Sequence, residues 1–122
     1  MVINRPEIVI YTQEADEDFL REVCAGIEEE GVPCQTSERS GDVDELAFLA
    51  AGDSVLGVGI GMVRDHLALQ MAHLPRGKNV FELKSPRFWQ CRNLGANSAR
   101  AVKKLPFKSI YLEGEALEDS QL

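Results

Sequence analysis

The hydrophobic and polar positions of the chain follow two periods, which predict five strands and three helices. Short runs of apolar, β-forming residues predict strands at 7–11, 32–36, 54–60, 66–71 and 79–83. Apolar residues three and four positions apart predict helices at 16–30, about 40–52 and about 92–104. The predicted order of elements is therefore β-α-β-α-β-β-β-α.

Residue types at the helix ends support these boundaries. Gly31 stands where a left-handed residue commonly ends a helix, and Asp42 with Glu45 is typical of the start of the second helix. In the third helix, Asn93 is expected to cap and Asn97 to bond a strand end or a loop. The inward positions predicted for that helix are Leu94, Ser98, Ala101, Val102 and Leu105.

Strands that alternate with helices predict a single three-layer α/β/α domain with a mixed, mostly parallel five-stranded sheet. Only a few residues separate the strands at 54–60 and 66–71, so this pair is expected to form an antiparallel hairpin. The run at 54–60 is apolar enough to be a central strand buried on both faces. The domain is expected to occupy residues 1–107, followed by an acidic, frayed tail over 108–122.

The net charge of −7 is unevenly distributed over the 122 residues. Residues 1–53 hold 14 acidic and three basic side chains, whereas the segment 76–108 holds nine basic residues and one acid. The acidic total argues against a general nucleic-acid-binding protein, which needs a basic surface. Neither a membrane span of about 18 apolar residues nor a secretory signal is recognisable, so a cytoplasmic protein is expected.

Motifs for catalysis are weak in this chain. Residues 57–61 read GVGIG, but a dinucleotide fingerprint needs GxGxxG at the turn from a strand into a helix, so close packing of a central strand is favoured. The two histidines lie seven residues apart without a partner at metal-binding spacing. Three cysteines without a CxxC motif fit a reducing compartment; Cys24 and Cys34 are predicted to be buried thiols, and Cys91 has no evident histidine base.

Three consecutive glutamates, Glu28, Glu29 and Glu30, occupy the last turn of the first predicted helix. Carboxylates there face the negative end of the helix dipole and repel one another, at a cost on the order of 0.3–1 kcal/mol each. With successive residues about 100° apart, Glu29 projects about 150° from the centre of the apolar face and should point outward. Oxygen ligands of this kind favour Mg²⁺ or Ca²⁺, with further ligands from elsewhere; a solvated acidic helix end is the alternative.

The segment 92–100, RNLGANSAR, is the second unusual region of the chain. It is rich in small and amide side chains, and Gly95 and Asn97 are poor helix formers. Small side chains permit the close approach of another backbone, either that of a partner or that of the sheet in a tight helix–sheet contact.

These two regions carry a resemblance to a known family. Residues 26–33, GIEEEGVP, look like the helix end of the small subunit of diol dehydratase and glycerol dehydratase reactivating factors, and residues 92–107 resemble the family's RNxGxNxAR…PF ending. Shorter matches lie between them, in order, at 41–43, 46–47, 58–61, 74–75 and 81–83. The resemblance covers about residues 7–107, and it departs from the family pattern at 36–39 and 64–66. The family also resembles the medium subunit of the dehydratases themselves, whose chains are longer.

The resemblance implies a noncatalytic accessory subunit with the anticodon-binding-domain-like α/β fold of the dehydratase medium subunit. Its implied partners are the large, actin-like ATPase subunit of the reactivase, which holds ATP, and a cobalamin-dependent diol or glycerol dehydratase. Exchange with the dehydratase medium subunit would let damaged cobalamin leave. Glu29 is the implied ligand of a Mg²⁺ or Ca²⁺ ion held mainly by the large subunit, and residues 28–30 form the implied interface. An isolated chain is expected to self-associate, and a link to a bacterial microcompartment stays open.

Two other functions stay open on the sequence. One is a medium-type structural subunit of the dehydratase itself, which co-purification with a cobalamin-bearing large subunit would identify. The other is a stand-alone small-molecule or RNA-binding α/β module that uses the basic segment 76–108, which salt-dependent retention of RNA would identify.

Overall fold

The computed structural model describes residues 5–111, in which all eight predicted elements are present. The strands are β1 (Ile8–Gln13), β2 (Cys34–Glu38), β3 (Val58–Val63), β4 (His66–Met71) and β5 (Phe81–Lys84). The helices are α1 (Glu17–Glu29), α2 (Val43–Asp53) and α3 (Phe88–Lys103). None of these helices is both long and apolar enough to cross a membrane.

The five strands form one mixed sheet in the order β2-β1-β3-β4-β5. Strand β1 pairs in parallel with β2 and β3, whereas β4 pairs antiparallel with β3 and β5. The predicted hairpin and the predicted central strand are thus confirmed. The expected mixed, mostly parallel sheet is confirmed as well: β4 runs against the other four strands, because the connections before and after it each reverse the chain.

Helices cover both faces of the sheet, which confirms the three-layer arrangement. Helices α1 and α3 share one face, and α2 lies alone on the other. The main residues of the core below α1 and α3 are Ile8, Ile10, Val23, Ile27, Ile60, Leu67, Leu69 and Leu94. The core below α2 is formed by Val9, Tyr11, Val43, Leu46, Ala47, Ala50 and Ala68.

The glycines of β3 allow α2 to approach the sheet closely. A Cβ atom at Gly59 would lie 2.2 Å from the backbone nitrogen of Ala51, and one at Gly61 would lie 2.5 Å from that of Ala47. The packing interpretation of the GVGIG run is therefore confirmed. The strand begins at Val58 rather than at residue 54, because residues 54–57 form the turn that ends α2.

Helix α3 begins one turn earlier than predicted. The Gln90 side chain accepts a hydrogen bond from the Arg87 backbone at 2.8 Å and so caps the helix at Arg87, which makes the expected cap at Asn93 wrong. Leu105, predicted to point inward, is 45% exposed because the helix has ended at Lys103 and Lys104 adopts a left-handed conformation with φ of 59°.

Three amide side chains of α3 hold residues 108–110, here called the strap, against the helix. The donors and their carbonyl acceptors are Gln90 to Ile110 (2.8 Å), Asn93 to Ser109 (2.8 Å) and Asn97 to Lys108 (2.9 Å). The backbone of Lys108 also donates to Asn97 at 2.7 Å, and Ile110 is only 2% exposed. The strap therefore belongs to the folded domain rather than to the tail predicted to start at Lys108. The rest of that tail, residues 112–122, lies outside the described part of the chain.

Candidate functional site

The acidic turn predicted as the site ends helix α1 beside helix α3. Asp16 caps the start of α1 and accepts hydrogen bonds from the backbones of Asp18 (2.9 Å) and Phe19 (3.0 Å). The helix closes at Glu30, and Gly31 follows with φ of 78°, in the left-handed region that glycine tolerates best. The chain then turns into β2, so residues 28–30 lie at the junction of α1 with the edge strand.

Helices α1 and α3 approach each other almost backbone to backbone. A Cβ atom at Gly26 would lie 2.0 Å from the carbonyl oxygen of Arg92, and one at Gly95 would lie 2.0 Å from that of Val23. The small residues of the segment 92–100 therefore serve a helix–helix contact, not the helix–sheet contact expected from the sequence. This contact fixes the position of the acidic turn relative to α3.

Arg92 of α3 joins two carboxylates of α1. Its Nε lies 3.0 Å from Glu22 Oε1, and its Nη1 lies 2.9 Å from Glu29 Oε2. The side chain of Glu29 is nevertheless 57% exposed. Glu29 is thus exposed, as predicted, but its carboxylate leans toward α3 and does not point directly into solvent.

Glu30 is held by two further cations of α3. Lys103 Nζ lies 2.9 Å from Glu30 Oε1 and 2.7 Å from its carbonyl oxygen, while Arg100 Nε lies 3.2 Å from Oε2. The hydrogen bond from Lys103 and the contacts with Arg100 hold the pKa of Glu30 below its ordinary value. With its side chain only 12% exposed, Glu30 serves the α1–α3 contact itself.

The acidic turn has two carboxylates that a cation can reach, those of Glu28 and Glu29. Glu28 is exposed and Glu29 is mostly exposed, whereas Glu30 is committed to α3. Within residues 5–111, no group of three or more histidine, cysteine, aspartate and glutamate side chains is arranged to hold a metal ion. The donor set fits a single-oxygen contribution from Glu29, since Arg92 retains Glu22 as a partner if Glu29 turns away.

The cations of α3 are the part of the site that sequence reasoning missed. Arg100 and Lys103 follow Arg92 by eight and 11 residues, a spacing that places all three cations along one helix face. Glu22 and Glu29 on α1 are seven residues apart and also share a face. These two stripes of opposite charge would have predicted that α1 and α3 lie side by side. They would also have explained some cations of the basic segment 76–108 as partners of the α1 carboxylates.

The cysteines and one surface cleft are the other candidate groups among the described residues. Burial raises the pKa of the Cys91 thiol to about 12, with Glu22 and Asp16 adding to the shift, so this cysteine stays protonated. Cys24 and Cys34 are only half-buried, so the prediction of buried thiols is wrong for both. A surface cleft of about 400 Å³ lies where the start of α2 meets the β3–β4 turn, and its lining mixes acidic and basic side chains.

The sequence is similar to a protein family and to curated proteins. The model of the family described as "Dehydratase medium subunit" matches residues 5–108. The propanediol dehydratase-reactivating factor small subunit of Citrobacter freundii is 38% identical over 111 residues, which cover 89% of this chain and 96% of that protein. The diol dehydratase-reactivating factor small subunit of Klebsiella michiganensis is 37% identical over 112 residues, which cover 90% of each chain.

The fold is similar to that of solved structures. A chain of "Glycerol dehydratase reactivase" superposes with a TM-score of 0.83 at 34% identity, covering 88% of this chain and 100% of that chain. A chain of "Structure of diol dehydratase-reactivating factor complexed with ADP and Mg2+" gives a TM-score of 0.82 at 36% identity, covering 87% and 100%.

Proposed function

The chain belongs to the dehydratase medium subunit family, and from this premise we propose that it is the small subunit of a reactivating factor for a diol or glycerol dehydratase. The observation that carries the proposal is the match in sequence and fold. The chain covers 96% of a curated reactivating-factor small subunit and all of a solved reactivase chain at a TM-score of 0.83.

In this role the chain is an accessory subunit without catalysis of its own. Its large partner would be an actin-like ATPase that binds ATP, and its target would be a cobalamin-dependent dehydratase. By exchanging with the medium subunit of that dehydratase, the chain would loosen the enzyme so that damaged cobalamin leaves. A cytoplasmic location, with or without a microcompartment, fits such a partner of a soluble enzyme.

The accessible carboxylates at the end of α1 are proposed to contact the large subunit. Glu28 and Glu29 are exposed, while Arg100 and Lys103 anchor Glu30 and hold the turn in place. Glu29 would give one oxygen to a Mg²⁺ or Ca²⁺ ion whose other ligands belong to the large subunit. Such an ion would link the two subunits and would offset the mutual repulsion of the carboxylates at the end of α1.

A reactivation assay tests the proposed function directly. Inactivated diol or glycerol dehydratase is incubated with ATP, Mg²⁺, fresh adenosylcobalamin and the large subunit of the same organism, with or without this chain. We expect dehydratase activity to return only when both subunits are present. Restoration without this chain would refute the proposal, and co-purification of this chain as a stoichiometric subunit of an active dehydratase would replace it with the structural-subunit alternative.

The role of Glu29 is tested by Glu29→Gln in a pull-down with the large subunit. We expect binding in Mg²⁺ buffer to fall at least about tenfold, and chelation to weaken the wild type toward the level of the variant. Glu14→Gln is the matched control, because Glu14 is similarly exposed and pairs with Arg64 at 3.2 Å away from the site. Equal binding of the wild type and Glu29→Gln, with and without chelator, would exclude the metal contact while leaving the reactivation assay as an independent test.

A further inference from the structure

Cys34 of β2 points toward helix α1. In the parallel pairing of β1 with β2, Cys34 lies opposite Ile8, and residues in register on neighbouring strands point to the same face of a sheet. Ile8 is fully buried in the core below α1 and α3. Cys34 therefore lies on the α1 side of the edge strand, where its side chain packs against that same core.

Cys24 of α1 lies on the side of the helix that faces β2. Val23 and Gly26 contact α3, and Cys24 projects about 100° further around the helix than Val23, away from α3. The side chains of Cys24 and Cys34 pack against the same core, one from the helix and the other from the strand. Both are half-buried, so small reagents can reach them.

The environment of this pair activates one of the two thiols. The Cys34 thiol donates a hydrogen bond to Cys24 and, with a second hydrogen bond from Thr36, lowers the pKa of Cys24 to about 7, against the opposing effects of burial and of Glu28. The pKa of Cys34 is raised, because its proton is held by Cys24 and because burial disfavours its charged form. Cys24 is therefore a nucleophile near neutral pH, and Cys34 is placed to react with whatever forms on it.

We propose that Cys24 and Cys34 form a peroxide-sensitive dithiol that closes to an intramolecular disulfide. The Cys24 thiolate attacks one oxygen of a hydroperoxide, which gives a sulfenic acid on Cys24 and releases hydroxide or alkoxide. The Cys34 sulfur then attacks the Cys24 sulfur, an S–S bond forms, and water leaves with the proton of the thiol. The two cysteines lose two electrons in total, and the peroxide accepts them.

The disulfide would enclose the acidic turn. The ring closed between residues 24 and 34 contains Glu28, Glu29 and Glu30, and it would join the last turns of α1 covalently to the first residue of β2. This modification site is independent of the proposed function, since it depends only on the two thiols. Under the proposed function, oxidation would act on the segment that contacts the large subunit.

Peptide mapping tests the proposal on the full chain. Trypsin cleaves after Arg21 and Arg39, so a single peptide, 22–39, contains both cysteines, whereas Cys91 falls in the peptide 88–92. The native protein is treated with hydrogen peroxide at neutral pH, quenched with catalase, unfolded, blocked with N-ethylmaleimide and digested. We expect peptide 22–39 to lose two hydrogen atoms and take up no maleimide, while peptide 88–92 takes up one.

Three variants separate the steps of this chemistry. Cys24→Ser should abolish the oxidation, whereas Cys34→Ser should leave a sulfenic acid on Cys24 that dimedone captures. Cys91→Ser is the matched control and should oxidise like the wild type. In the reduced wild type at pH 7, iodoacetamide should modify Cys24 at least about tenfold faster than Cys91.

Other outcomes of these measurements would overturn the proposal. Two maleimide groups on peptide 22–39 after peroxide treatment would show that the pair does not oxidise. A sulfinic acid on Cys24 in the wild type, or a disulfide found only between chains, would show that Cys34 does not act as the resolving thiol.

Discussion

Replacing Gly95 by alanine is expected to push helices α1 and α3 apart and to destabilise the fold. A Cβ atom there would lie 2.0 Å from the carbonyl oxygen of Val23 and 2.8 Å from its carbonyl carbon. Both atoms are backbone, so no change of rotamer relieves the contact. The helices must separate by roughly 1.5 Å to restore van der Waals distances of about 3.5 Å.

Two effects of opposite sign set the magnitude of this change. Alanine is favoured over glycine within a helix by about 0.8–1 kcal/mol, which would raise the free energy of unfolding. Forcing extra volume into a packed contact costs about 1–3 kcal/mol, and the upper end applies because the obstacle is backbone. The expected net loss in the free energy of unfolding is therefore about 2 kcal/mol.

Urea unfolding followed by the fluorescence of Trp89, the single tryptophan, measures this loss. Gly52→Ala in α2 is the matched control, because a Cβ atom there meets nothing within 4 Å. It should gain helix propensity alone and stabilise the protein by up to about 1 kcal/mol. If Gly95→Ala stabilised the protein as Gly52→Ala does, with an unchanged m value, the close contact between α1 and α3 would be refuted.

Two further substitutions test the contacts of α3. Glu30→Gln is expected to lower the free energy of unfolding by about 1–2 kcal/mol at neutral pH, because two cations lose a nearly buried partner. The folded-state pKa of Glu30 is held below its ordinary value by Lys103, so this contribution is present above the ordinary carboxyl pKa and is lost as the pH falls through the folded-state value. Urea midpoints of wild type and variant should therefore converge in acid, and a difference independent of pH would contradict the assignment. Asn97→Ala is expected to cost about 2–3 kcal/mol, since it leaves the backbone N–H and C=O of Lys108 without partners; unchanged hydrogen exchange at the Lys108 amide would contradict it.

The elements that sequence reasoning located best are those with a purely local signal. Strand β4 has the predicted bounds, 66–71, because its alternation of apolar residues coincides with a short reversal from β3. Helix α3 begins at Phe88, four residues before the predicted first residue, and this start was missed because the amide side chain of Gln90 caps it. The start of β3 was missed because the apolar pair Val55 and Leu56 belongs to a turn rather than to the strand.

The candidate site depends on a contact between distant parts of the chain, and periodicity does not reveal such contacts. Angular reasoning about one helix placed Glu29 on an exposed side, and its side chain is 57% exposed. The partner of Glu29 is Arg92, which is 63 residues away, so one helix considered alone gives no sign of it. For the same reason, the sequence did not connect the unfavourable charges of the acidic turn with the cations of α3. The structure shows that they form ion pairs with each other.

The strap has a practical consequence for how the domain is produced. The family match ends at Lys108, and a fragment designed on that boundary would omit Ser109 and Ile110. Such a fragment would leave the amides of Gln90 and Asn93 without their acceptors and would uncover the core at the site that Ile110 fills. Truncations, protease sites and fusion junctions for this protein therefore belong after residue 111, where they leave the whole strap and its buried residue Ile110 in place.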